Sequence, residues 1–553
     1  MPDTNLPEPS SASEPAQRGE EFRGRRVAVN SMAMMAGQLG ITLIGLITTP
    51  VTLSHIGLVE FGIWATISTT VAYITVIDPG FGDMITRYGA QAHLEGNRAL
   101  GARLCSLFSL IWVGIGILFL PVLIWVLPIW VSHLHAVGNV PLSESLRHST
   151  TFFFYWAYAF TVAGSIFAIV SARLTAIGDQ WLVTVIDTCT RFVYGIVLLA
   201  LLFNGFRLSA LVIASSVQLV LTFACTLVFV VRRAGAPFGN PLRLQGGLVR
   251  EVVRFGGWLQ FGGLLETLTY DTDPIVISTF VSVSRTGTYN IGQRVARQSS
   301  YFASIAQSSI LSAVSAAYAA NEGLGAMRRM YTRANRLVVL TGGVIGGGIL
   351  GMAPVIIAAW LGRFYLDADG VTCLAVIALM VALPRPATAA IVMAMGRVGL
   401  GVRAQVVAFV LNLVLTLALV GPLGMFGVLW ATVIAKLAAT TYLLVRFHRL
   451  VEGTARELLF SWLNKLLLAV GAGALVSRIL LHFMPVSVAH ERLPALLALL
   501  VLGSVYMAVV TSILRVTHYF SGEDLEWFSR ILPGRLGRIA GSSLLRRALG
   551  EQP

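Results

Sequence analysis

The sequence predicts an all-α polytopic membrane protein with about 14 transmembrane helices, in two six-helix lobes plus two C-terminal helices. Three observations predict it. Of 553 residues, 56% are hydrophobic and only 12% charged, about half the ~25% charged share of a soluble domain. The apolar residues form continuous runs long enough to cross a ~30 Å hydrocarbon core, not the alternating ten-residue pieces of a barrel. Arginines recur in every second connection, as cytoplasmic loops require. An ordinary soluble enzyme is excluded, and an aromatic content of 10% excludes a low-complexity chain.

Residues 1–28, rich in Pro, Ser, Glu and Arg, read as a disordered cytoplasmic tail without a signal-peptide cleavage pattern. An N-terminal six-helix lobe comes next over 29–231, with spans near 29–53, 60–82, 103–128, 151–172, 181–203 and 208–231. A cytoplasmic linker occupies 232–254, and a C-terminal six-helix lobe 255–446. Its spans lie near 255–281, 288–317, 336–360, 371–395, 400–420 and 424–446. Two additional helices lie within 447–515, near 460–482 and 494–515, before a basic cytoplasmic tail at 516–553. "HIGLVEFGIW" after the first span resembles "SVSRTGTYNI" after the seventh, Phe61 matching Tyr289. Six helices separate the two, so the halves share orientation, an arrangement that encloses a cavity in several transporter folds.

The net charge of +14 raises the question of nucleic acid. The loops account for it instead. With the N-terminus inside, arginines crowd the inner connections, and only Arg147, Arg207, Arg285, Arg363 and Arg492 fall outside. Both termini are therefore expected in the cytoplasm. No outer loop is long enough to hold sugars for chemistry, which disfavours a polysaccharide polymerase. The four cysteines lie far apart in apolar stretches and read as small core hydrophobes.

Charges inside spans are costly and so point to function. The seventh span carries Glu266, Asp271 and Asp273, then Pro274; the eighth carries Arg294, Arg297, Gln298 and Tyr301 at helical spacing. One reading is a structural ion pair across this hairpin. The favoured one is a polar stripe facing a water-filled cavity, where arginines and hydroxyls suit a phosphate with sugars beside it. Asp187 and Arg191, four apart, form a local pair or a second part of that site. Asp78 and Arg87 flank a Gly-rich turn that is either a gate hinge or a structural turn. Arg385, between two prolines, marks a broken tenth helix. "GGVIGGGILG" lacks the GK[ST] of a phosphate loop and reads as small-residue helix packing. Neither a metal nor another bound cofactor is expected. Without a nucleotide motif, transport is passive, driven by another chain, or coupled to H+ or Na+ through the membrane carboxylates.

Asn30, Gly57, Glu60, Phe61, Gly62, Trp64, Asp78, Gly80, Phe81 and Arg87, then Trp258, Asp273, Tyr289 and Arg294, carry a resemblance to a known family. The pattern resembles the polysaccharide-biosynthesis (Wzx-type) oligosaccharide flippases of the multidrug/oligosaccharidyl-lipid/polysaccharide exporter superfamily. That resemblance implies two lobes in a V shape alternating between inward-open and outward-open states. It implies a polyprenyl-pyrophosphate-linked glycan as substrate, with membrane lipids, a polysaccharide polymerase and chain-length machinery as partners. The bacterial inner membrane is the implied location. Fourteen helices also resemble the lipid II flippase branch, whose extra pair forms a lipid-tail groove. The alternative is a cation-coupled drug or metabolite exporter of the same superfamily; an acidic or apolar cavity would favour it.

Overall fold

The structure, a computed structural model, describes residues 13–76, 80–95, 97–243, 265, 267–269, 272–300, 323–362, 365, 367–395, 397–485, 488 and 491–519. Ten helices among the described residues are long and apolar enough to cross a membrane. This is a multi-pass helical membrane protein. Its helices are α1 (Ser13–Val76), α2 (Phe81–Leu94), α3 (Arg98–Ser132), α4 (Glu144–Ala176), α5 (Gln180–Phe203) and α6 (Leu208–Ala234). Then come α7 (Asp273–Phe280), α8 (Val283–Ala296), α9 (Gly323–Leu361), α10 (Ala368–Ala382), α11 (Pro384–Ala394), α12 (Val398–Leu450), α13 (Ser461–His482) and α14 (Arg492–Val516).

Two of the ten apolar helices are too long for one crossing. At ~1.5 Å per residue, the 42 residues of Met32–Tyr73 would run about 63 Å, twice the hydrocarbon core. The backbone breaks where two spans are expected to join: Gly57 in α1 has φ 77°, and Gly424 in α12 has φ 56°. Only glycine adopts such angles readily. At the tenth span, where a break is expected, α10 ends at Ala382 and α11 starts at Pro384, but Leu383 between them keeps helical angles, φ −53° and ψ −37°. The expected seventh and eighth spans lie partly outside the described residues.

Two features depart from expectation. Helix α1 begins at Ser13, inside the segment read as a disordered tail; Glu, Gln, Arg and Ala, all strong helix formers, dominate there. The connection between α3 and α4 holds an antiparallel hairpin, β1 (His135–Val137) and β2 (Val140–Pro141). Its turn is Gly138-Asn139, with Gly138 at φ 54°.

The chain divides into two compact units. The first holds Met1–His55, Ile74–Pro128 and Thr151–Gln260; the second holds Ile56–Tyr73, Ile129–Thr150 and Phe261–Pro553. In the first, α2, α3 and α4 close around Phe81, Phe108 and Trp112, with Phe81 and Phe108 stacked at 4.5 Å. Trp112 is fully buried, and its indole N–H donates to the Val162 carbonyl at 3.1 Å. Cys105 packs there as the expected small hydrophobe; Cys189 and Cys225 instead lie exposed on their helices.

In the second unit, α9 packs against α13 and α14 through the glycine run. A Cβ on Gly347 would overlap Val470 and lie 2.7 Å from the Tyr506 hydroxyl; one on Gly351 would lie 2.9 Å from the Ala474 carbonyl oxygen. Tyr506 donates to the Val344 carbonyl at 2.6 Å. In lipid, close backbone approach replaces the hydrophobic drive between helices. Gly347→Leu should therefore destabilise by about 1–3 kcal/mol, the usual cost of overpacking. Thermal unfolding of the detergent-solubilised protein measures it, and an unchanged Tm would refute the packing account.

Candidate functional site

Within the first unit, the helices line an open cavity of about 610 Å³. Its polar side chains come from helical spacing. Helix α5 supplies Gln180, Thr184, Asp187 and Arg191; α6 supplies Ser215, Gln218, Thr222 and Thr226. Steps of three and four keep each set on one helix face. Gln38 on α1 and Ser171 and Thr175 on α4 complete the polar lining. A Cβ on Gly37 would lie 2.6 Å from Thr184 Cγ2, so a glycine is what lets α1 approach α5 here.

Arg191 Nε meets Asp187 Oδ2 at 3.1 Å, the local pair read from the spacing. Both side chains stay open to the cavity, at 44% and 39% exposure. A pair so exposed contributes at most about 1 kcal/mol to stability. Stability therefore does not explain two charges in an apolar span. The arginine is paired and also lines the cavity, to which it presents its remaining donors.

The N-terminal end of α5 is anchored by Asn30, one of the residues carrying the family resemblance. Its Nδ2 donates to the Gly178 carbonyl at 3.3 Å, and its Oδ1 accepts from the Trp181 amide at 3.0 Å. Arg233 pairs with Asp179 at 2.9 Å. Arg173, 5% exposed, donates to the Ala234 carbonyl at 2.7 Å and so satisfies the end of α6. These contacts fix the helices that wall the cavity.

The second unit contains a polar knot of its own. Asp273 opens α7 and is 1% exposed. The Tyr289 hydroxyl on α8 donates to Asp273 Oδ2 at 2.8 Å, and the Thr432 hydroxyl on α12 donates to the same oxygen at 3.1 Å. Asn412, on the other arm of α12, donates to Thr432 at 3.0 Å, and Gln293 donates to Tyr289 at 2.8 Å. Thr416, one turn beyond Asn412, buries a hydroxyl with no partner among the described residues. A carboxylate ringed by hydroxyls and an amide offers the hard oxygen set that protons and alkali cations accept.

Of the remaining sequence candidates, Arg294 and Arg297 are both exposed at the end of α8; the Arg294 guanidinium lies 5.5 Å from the Phe61 ring centre. Gln298 donates to the Arg294 carbonyl at 3.2 Å. Pro274 is buried, and its carbonyl accepts from Thr286 at 3.5 Å. Arg385 donates to Gln405 at 3.2 Å, and Arg87 lies over the neighbouring Tyr88 ring. Asp78, Glu266, Asp271 and Tyr301 lie outside the described residues. The structure thus joins Asp187 to Arg191 and Asp273 to Tyr289. Thr432, Asn412 and Gln293 were not anticipated, although a lone Asn in the apolar run of α12 is a signal of its kind.

The fold defines a class, the multi-pass helical membrane proteins. The chain resembles lipid II flippase MurJ in an inward closed conformation, with TM-score 0.66 and 14% identity, over 88% of this chain and 99% of that one. It also resembles an inward-facing multidrug resistance MATE family transporter of the MOP superfamily, with TM-score 0.59 and 14% identity, over 76% and 98%. A Vibrio cholerae MATE transporter, VcmN, is similar at TM-score 0.53 and 14% identity, over 77% and 97%. Residues 153–368 match the model of the family described as polysaccharide biosynthesis protein. The matched segment contains Trp258, Asp273, Tyr289 and Arg294, the second group of residues that carries the resemblance to the polysaccharide-biosynthesis flippases. Comparison with curated proteins gives no match.

Proposed function

We propose that the protein is a flippase that carries a polyprenyl-pyrophosphate-linked oligosaccharide, an O-antigen, capsule or exopolysaccharide repeat unit, across the bacterial inner membrane. It works by alternating access, performs no covalent chemistry, and keeps both termini in the cytoplasm. The observation that carries this reading is the 610 Å³ cavity lined by hydroxyls, amides and the Asp187–Arg191 pair. Hydroxyls and amides are the groups that bind sugars, and an arginine fork is the group that binds phosphate. A drug exporter has less use for so many neutral hydrogen-bonding groups.

Asp273 is the coupling site in this reading, taking H+ or Na+ from a gradient. In this reading the lipid tail takes a second, apolar cavity. An apolar cavity of about 420 Å³ lies among α9, α10, α12 and α13, with Leu437, Leu444, Leu463 and Leu467 on its walls. A polymerase and its chain-length machinery would take the glycan on the far side.

The test is leaflet accessibility of lipid-linked repeat units in cells lacking the protein. Units trapped on the cytoplasmic side, and released by the intact gene, support the reading. Units still reaching the outer leaflet would overturn it. Arg294→Ala combined with Arg297→Ala is expected to abolish surface polysaccharide while the protein still inserts. Neither arginine lines the 610 Å³ cavity, so normal polysaccharide in that double variant would leave the cavity reading standing and remove only these two from substrate handling.

A further inference from the structure

Six side chains of the first unit's cavity stand at one depth. Helices α5 and α6 run antiparallel, and two contacts fix their register. The Thr222 hydroxyl donates to Thr190 at 2.8 Å, and Arg233 meets Asp179 at 2.9 Å, eleven residues away on each helix. Asp187 and Arg191 flank Thr190, while Gln218 and Thr226 stand one turn to either side of Thr222. On α4, Phe167 stacks on Phe223, the neighbour of Thr222, with ring centres 4.0 Å apart. Gln38 on α1 follows Gly37, whose Cβ would touch Thr184 and Thr188. All six line the cavity.

Much of their hydrogen-bonding capacity is unused. The side chains of Gln38, Gln218 and Thr226 have no partner among the described residues, and Thr226 is only 3% exposed. A buried hydroxyl without a partner is costly, so one that lines a cavity marks a place for a ligand. Asp187 gives one oxygen to Arg191, and its other, Oδ1, accepts from nothing among the described residues.

The charge in this ring is balanced. Among the described residues, Arg191 is the one cation and Asp187 the one anion that line the cavity. Amides and hydroxyls both donate and accept, as do the hydroxyl and acetamido groups of a neutral sugar. Phe167 offers a flat apolar face to the C–H side of a pyranose. A uronic acid brings a carboxylate, which only accepts. Its cation would have to be Arg191, already paired with Asp187 and engaged by pyrophosphate in the function proposed above. Asp187 Oδ1 would repel it, and an unpaired carboxylate is among the costliest groups to take out of water.

We infer that this ring selects glycans by charge: it accepts uncharged sugars, hexoses and N-acetylhexosamines, and rejects repeat units carrying uronic or sialic acids. This selection rests on the flippase reading and narrows its substrate to neutral glycans. Asp187 is the selecting residue. Its free oxygen accepts from a sugar hydroxyl and by the same charge turns an acidic substituent away, so one group supplies both the attraction and the rejection.

The test uses the full-length protein in proteoliposomes with imposed H+ and Na+ gradients and two polyprenyl-pyrophosphate-linked trisaccharides. The first contains only glucose and N-acetylglucosamine. The second is identical except that C6 of its terminal glucose is oxidised to the uronate. Leaflet accessibility gives both rates. The neutral glycan should flip roughly ten-fold faster or more, since carboxylates a few ångströms apart repel by more than that ratio requires. Asp187→Asn keeps an acceptor without the charge and should bring the two rates within about three-fold. Gln218→Arg adds a cation to the ring and should shift the ratio towards the uronate as well. The two variants act independently, and monodispersity with a retained Tm certifies each, so a misfolded sample of one leaves the other to decide. Equal rates in the parent protein, a faster uronate, or a ratio that no folded variant moves would overturn the selection and leave the flippase reading standing. Flipping of neither glycan would overturn both.

Discussion

Asp273→Asn is expected to abolish gradient-driven transport while the protein stays folded. The carboxylate is buried and accepts from Tyr289 and Thr432 through one oxygen. Asparagine retains a carbonyl oxygen for those donors, so the packing survives and only the exchangeable charge is lost. Asp273→Leu should behave differently, because it leaves Tyr289 and Thr432 buried without their acceptor, at about 1–3 kcal/mol for each group. Transport driven by an imposed H+ or Na+ gradient in proteoliposomes, read beside thermal unfolding, separates the two. Full gradient-driven transport in Asp273→Asn would remove this carboxylate from the coupling reaction.

Arg191→Ala should lower flipping of the lipid-linked glycan by about 30-fold to 200-fold, the loss of a charged hydrogen bond worth about 2–3 kcal/mol. Stability should hardly move, since the exposed pair with Asp187 contributes so little. Arg191→Lys keeps the charge without the planar fork and should recover only part of the activity. The measurement is again leaflet accessibility of the lipid-linked units. Wild-type flipping by Arg191→Ala would place the pyrophosphate elsewhere, with Arg294 and Arg297 the next positions to test.

Much of the fold is written in local physics. Run length marks the spans, positive-φ glycines mark the breaks at Gly57 and Gly424, and Pro384 marks the joint between α10 and α11. The packing role of the glycine run was readable because a run without GK[ST] has few other uses. Asp187 and Arg191 were readable as a pair from their spacing. The cavity they line was not, because Ser and Thr in apolar helices carry no chemical signature. Thr184 and Thr188 simply bond the carbonyls one turn back, at 3.2 and 2.8 Å. The partners of Asp273 were hidden for another reason. Asn412 and Thr432 are more than a hundred residues away, and only the folding of α12 back on itself brings them to the carboxylate.

That fold-back also decides where the chain can be lengthened. Loop tips usually accept inserted residues, and the Gly138-Asn139 hairpin is such a tip. The Gly424 turn is not. A Cβ on Gly427 would lie 2.6 Å from the Leu419 carbonyl carbon, so the two arms of α12 are in contact right up to the bend. Asn412 and Thr432 meet across those arms, about 18 and 12 Å of helix from Gly424 at ~1.5 Å per residue. One extra residue in the bend would slide one arm past the other and turn it by ~100°. An epitope tag would therefore be harmless in the first hairpin and ruinous in the second, although both look alike as short glycine-containing turns between apolar stretches.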